Sequence, residues 1–192
     1  MRFLSRIVPV VLGLPILLSG CVPPPAPQRD ETALEEMLRS LEGADPAEAR
    51  ILAREAVRYS LKLRRRYRAG DLPRWHNLLV NAGIRKRGLC WHWADDLYRH
   101  LRSYSFRSLR ILPVGANVGS YWREHNALGV FPVSGAPLPR RGILLDPWRG
   151  GGRLYFVPLD RDPDYSWRVR WERLSSPDSP GSSRRASRSL AR

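Results

Sequence analysis

Apolar positions along the chain change period once. Up to about residue 105 they recur every three or four residues, the spacing of a helix face. Beyond it they recur every second residue, the spacing of a strand. Residues 31–41 put Leu34, Met37, Leu38 and Leu41 on one side of a short helix, which Gly43 ends. Asp45-Pro46-Ala47-Glu48 then reads as a helix start: Asp as N-cap, Pro at the first position and Glu three residues after the cap. The helix it opens runs to about Arg68, with Ile51, Leu52, Ala56, Tyr59, Leu63 and Tyr67 to pack. Arg64, Arg65, Arg66 and Arg68 complement the negative end of its dipole and read as a solvated end rather than a binding patch. Ala69-Gly70-Asp71 breaks it. Pro73 starts a shorter helix over 72–82 that carries Trp75, His76 and Asn77, and a basic loop, 83–88, follows. Cys90, Ala94, Leu97, Tyr98 and Leu101 then mark one face of a helix that begins at the cysteine and fades near 103–105.

After that the pattern is that of strands. They are expected at 109–114, at 122–131, at 142–146, at 154–157 after the Gly150-Gly151-Gly152 turn, and at 166–171, where arginines alternate with apolar residues. From Ser175 the chain is Ser, Pro, Gly and Arg with no apolar period, and reads as a disordered basic tail over 175–192. Helices followed by mostly antiparallel strands make an α+β chain, with a nucleophile-bearing helix packed on the sheet. The expected division is a helical segment over 31–70 and a main domain over 71–174.

The first residues change where this domain is expected to work. Arg2 and Arg6 precede the apolar run Ile7–Leu18, which is too short to span a membrane comfortably. The run closes on Leu18-Ser19-Gly20-Cys21, which resembles the lipobox of bacterial lipoproteins. That resemblance implies cleavage before Cys21 and lipid on its sulfur. Val22 rather than Asp follows it, which points to the outer membrane where the organism has one. Residues 22–30, rich in proline, read as a stiff tether. Without the leader the chain holds 31 Lys and Arg against 18 Asp and Glu, +13. No zinc-ligand spacing, RNP-like motif or long basic run singles out nucleic acid, so anionic envelope polymers are the expected partners of that charge. In an oxidising compartment Cys90 has no second thiol to pair with.

An unpaired thiol at a helix N-terminus, where partial positive charge favours the thiolate, is either a buried small hydrophobe or a nucleophile. A nucleophile needs a base, and the base needs an orienting group. His92 sits two residues from Cys90 and faces elsewhere; His100 lies more than two turns away; His76 precedes the loop and stays open as a base. His125 is in the second strand, on a face that continues with Ala127 and Gly129, small enough to let a helix approach. Asp146 ends the third strand, where it either partners an imidazole on the neighbouring strand or simply begins the Asp146-Pro147-Trp148 turn. Trp91, Trp93, Trp122 and Trp148 flank these positions as cleft or core residues. Asp95 and Asp96, with His92 and His100, fall on different helix faces and read as solvated, so no metal and no cofactor are expected.

Gly88-Leu89-Cys90-Trp91, Glu124-His125-Asn126-Ala127 and Leu144-Leu145-Asp146-Pro147-Trp148 together resemble the transglutaminase-like branch of the papain-like cysteine enzymes. The match is a Cys at a helix start, a His on a strand and an Asp on the next strand, separated by 35 and 21 residues, across about 72–171. The resemblance implies Cys90 as nucleophile, His125 as base and Asp146 as its orienter. The Cys90 N–H is a candidate oxyanion donor. The papain-type glutamine before the cysteine is missing, with Ile84 and Arg85 in that region. Two functions follow as expectations. One is an envelope-anchored cysteine peptidase, amidase or transglutaminase acting on peptide or peptidoglycan-like amides. The other is a non-catalytic lipoprotein of the same fold that binds peptidoglycan, anionic polymers or a partner protein.

Overall fold

The computed structural model describes residues 27–120 and 122–175. The expected leader, the lipidation site Cys21, residues 22–26 of the tether and the tail from 176 lie outside them. Helices α1 (Pro27–Arg39), α2 (Pro46–Tyr67), α3 (Pro73–Asn81) and α4 (Cys90–Leu101) come first. Strands β1 (Leu109–Ala116), β2 (His125–Pro132), β3 (Ile143–Gly150), β4 (Arg153–Pro158) and the short β5 (Arg168–Val169) follow, then one helical turn, α5 (Glu172–Ser175). All strand pairs are antiparallel in the order β4-β3-β2-β1-β5, so the fold is α+β.

Several starts and stops follow from single residues. Asp45 caps α2 by accepting from the N–H groups of Ala47 and Glu48, at 2.8 and 2.9 Å, and Pro46 occupies the first turn. The anticipated capping box closes on one side only. Glu48 turns outward and accepts from the N–H groups of Arg107 and Ser108 and from the Ser108 hydroxyl, tying α2 to the entry of β1. Helix α1 begins at Pro27, so the last four residues of the expected tether are helical. Proline suits a first helical position, and Asp30 and Glu31 hold Arg153 and Arg58. The arginines ending α2 are not simply solvated either. Arg64 donates to the Gly151 carbonyl at 3.1 Å and pairs with Asp71, and Arg66 lies 3.9 Å from Asp96.

The sheet is buried on both faces. Leu109, Leu128, Val130, Ile143, Leu145 and Leu154 meet Leu34, Leu52, Ala56, Leu63, Trp93, Leu97 and Leu101 of the helices. The segments 31–70 and 71–174 therefore share one core. The alternate residues Leu112, Val114, Ala127, Phe131 and Leu144 meet Leu159 and Trp167 of the C-terminal segment, which wraps the opposite face. This corrects one expectation: Ala127 belongs to the face away from α4. The space at Gly129 is filled by Phe131 and Val114, not by a helix. Helix α4 packs on the Leu128–Val130 face, and its first turn reaches past the end of β2, where His125 stands.

Leu97 is fully buried between α4 and the sheet, whereas Leu78 on α3 is more than half exposed. Leu97→Ala is expected to cost about 2–5 kcal/mol in urea unfolding, the range for a buried leucine cavity. Leu78→Ala should stay within about 0.5 kcal/mol of the parent.

Candidate active site

The turn before α4 fixes where the thiol sits. Gly88 has φ +135°, a conformation that disfavours any side chain, and a Cβ there would lie 2.2 Å from the His76 ring. His76 is buried and its Nε2 contacts the Arg87 carbonyl at 3.0 Å, so this histidine braces the turn and is not the base. His92 accepts at Nδ1 from the N–H groups of Gly88 and Leu89, at 3.1 and 3.2 Å, and so caps the helix. Burial and the nearby Arg87 lower its pKa to about 4, which keeps the imidazole neutral and able to accept. The Trp93 indole donates to the Gly88 carbonyl at 2.9 Å. Asp96, expected on a solvated face, is buried. It collects Arg87 at 2.9 Å, Arg99, and the Tyr67 hydroxyl, which also reaches the His92 carbonyl. A buried carboxylate requires such partners, and here they pin the loop that leads into Cys90. His100 stacks on Tyr59 and pairs with Glu55, away from the thiol.

Cys90 is a free, half-buried thiol at the first position of α4. Across from it, His125 is buried at the start of β2, and its Nε2–H donates to Oδ2 of Asp146 at 2.6 Å. That bond fixes the ring and leaves Nδ1 for Cys90, which lines the same cleft and favours a charge on His125. Burial opposes a charge on the imidazole, but Asp146 and Cys90 outweigh it and raise the His125 pKa to about 9. The three residues that the sequence placed on separate elements are thus brought together as Cys90–His125–Asp146.

Asp146 is fully buried and saturated. Oδ1 accepts from the N–H groups of Trp148 and Arg149, each at 3.1 Å, and Oδ2 also accepts from Arg149 Nε at 3.2 Å. It therefore orients His125 and opens the turn at once; the two readings of Asp146 coexist. Arg149 is itself gripped by both oxygens of Asp162, at 3.0 and 2.8 Å, and Asp162 takes the Trp167 indole. A register shift between Asp146 and Gly150 lets Trp148 turn toward the helices instead of sharing the face of Asp146. Its ring lies 4.8 Å from that of His125; Tyr165 and Trp167 complete an aromatic sleeve at 4.9 and 5.4 Å.

The Cys90–His125 pair opens into a cleft of about 1000 Å³. Of the four tryptophans proposed for it, Trp122 and Trp148 line it. Trp93 is core, 1 % exposed, and Trp91 packs on the His92 ring outside the lining. Trp75, 59 % exposed, lines the wall supplied by α3. Asn77 lines it too, and its Oδ1 accepts from the Trp148 indole at 3.0 Å. An indole only donates, so the Asn77 NH2 group is the end turned away from Trp148. Arg149, Asp162, Tyr165, Trp167 and Asn77 were missed by sequence reading; nothing in their spacing marks them. Among the described residues, no group of three or more His, Cys, Asp or Glu side chains could hold a metal ion. Comparison of the chain with protein-family models, curated proteins and solved structures gives no match.

A histidine whose pKa rises from 6.5 to about 9 on folding stabilises the fold fully below pH 6.5, and that contribution disappears as pH climbs through 9. Unfolding free energy is therefore expected to fall between pH 6.5 and 9, by at most about 3 kcal/mol at 1.36 kcal/mol per unit. His125→Gln should flatten that window in urea titrations at matched ionic strength. A parent profile as flat as the variant's would remove the charged-pair description.

Proposed function

We propose that the protein is an envelope-anchored cysteine hydrolase, a peptidase or amidase of the transglutaminase-like branch of the papain-like enzymes, tethered by lipid at Cys21. The observation that carries the reading is the buried His125–Asp146 pair facing a half-buried free thiol at a helix N-terminus. A binding lipoprotein has no use for such a relay, which costs desolvation of two ionisable groups.

The Cys90 sulfur attacks the carbonyl carbon of an amide while His125 holds the thiol proton. The resulting oxyanion meets the Cys90 N–H, which has no intrahelical acceptor at the first position of α4, and the Asn77 amide. As the C–N bond breaks, the proton moves from His125 to the departing amine and a thioester remains on Cys90. An acceptor then adds to the thioester carbonyl, His125 takes the acceptor's proton, and the thiolate leaves. Water is the acceptor this cleft favours, because its walls at Trp75 and Trp122 stand in solvent. The substrates are peptide or peptidoglycan-like amides.

An internally quenched peptide library is expected to yield turnover that Cys90→Ala abolishes. Asn77→Ala should retain about 1 % of kcat or less, as for loss of one oxyanion donor, which costs roughly 10²–10³. Quenched reactions should contain an acyl adduct located at Cys90 by mass spectrometry. Turnover that survives Cys90→Ala would end this reading.

A further inference from the structure

Charge in the cleft does not cancel. Its carboxylates are already taken: Glu124 by Arg170 at 2.8 Å and by the Gly119 N–H at 2.9 Å, Asp164 by Arg149 at 3.3 Å. Hydrogen bonding from Gly119 and Arg170 lowers the Glu124 pKa to about 2, so it stays ionised and engaged. Arg149 is in turn consumed by Asp146, Asp162 and Asp164. Two lining cations remain, Arg74 and Arg123. Both are exposed, and neither has a carboxylate within 4 Å among the described residues.

Their placement is as informative as their number. Arg74 precedes Trp75 on α3, one wall of the cleft. Arg123 follows Trp122 in the β1–β2 connection, which also lines it. Each of these two segments thus contributes a tryptophan, 59 % and 86 % exposed, and an exposed arginine to the lining. Cys90 and His125 line the same cleft. A guanidinium with no internal partner suits a ligand carboxylate, and a neighbouring indole suits the apolar part of the residue that carries it.

We propose that the cleft selects acidic peptides, with carboxylates held at Arg74 and Arg123 in the cleft that Cys90 lines. This rests on the acyl-transfer reading of Cys90 and names its substrate class. Arg74 and Arg123 are specificity residues in it: they act on the charge of the substrate and not on the reactivity of the thiol.

Iodoacetate and iodoacetamide are probes of nearly the same shape that differ in charge, and both alkylate thiols. Their rate ratio at Cys90 is measured on the folded full chain, with the label located by peptide mass spectrometry, and on the same chain unfolded in urea. The folded ratio is expected to favour iodoacetate by about threefold to tenfold over the unfolded one, the effect of one or two unit charges several Å away across water. Arg74→Gln with Arg123→Gln should remove most of that preference while leaving the iodoacetamide rate within about twofold. Added salt should erode it in the parent. Rapid iodoacetamide labelling with no iodoacetate preference, or a preference that survives the double variant, overturns the acidic-substrate inference and leaves the nucleophile intact. Labelling of the folded chain no faster than of the unfolded chain with either probe overturns the nucleophile reading and this inference with it.

Discussion

The structure of the site hangs on one buried hydrogen bond, His125 Nε2 to Asp146 Oδ2 at 2.6 Å. Neither group could be buried alone. A carboxylate taken out of water needs donors, and an imidazole kept charged there needs an anion. Asp146 obtains four donors: two backbone N–H groups, Arg149 and His125. Arg149 is fixed by Asp162, and Asp162 by Trp167. The chain of constraints therefore runs from the wrapping C-terminal segment, through a guanidinium and Asp146, to Nε2 of the ring whose other nitrogen is left for the thiol.

Cys90 is positioned by a second, separate set of constraints. Here the loop before α4 is held by His76 below Gly88, by His92 folding back onto the N–H groups of Gly88 and Leu89, and by the arginines around Asp96. Two histidines that composition alone would offer as bases are spent on building this turn. Imidazole serves both purposes because it is flat, amphiphilic and able to accept at one nitrogen when neutral. What distinguishes His125 from His76 and His92 is the carboxylate behind it.

Much of this was legible in the sequence. The change of period near residue 105 gave helices before strands, and the Asp45-Pro46 start is where α2 begins. Cys90, His125 and Asp146 stood out by residue type, order and local pattern. The parts that were not legible depend on contacts distant in sequence. Glu48 has capping-box spacing but finds better donors at residues 107 and 108. Asp96 reads as one of a pair of surface acids until Arg87, Arg99 and Tyr67 close over it. The small face of Ala127 and Gly129 suggested a close helix, yet a phenylalanine two residues along the same strand fills it. Trp148 leaves the face of Asp146 only because the strand shifts register there, which no alternation pattern reveals.

The chemistry proposed for Cys90 depends on His125 taking the thiol proton. The most direct measurement is the rate of Cys90 alkylation by iodoacetamide from pH 5 to pH 8, in the parent and in His125→Gln. An ordinary thiol titrates near 8.5, so its rate falls roughly 10³-fold between pH 8 and pH 5. The parent is predicted to lose less than about tenfold over that range, and the variant to show the full thousandfold fall. A parent that falls as steeply as the variant would mean that Cys90 is an ordinary cysteine beside a buried ion pair.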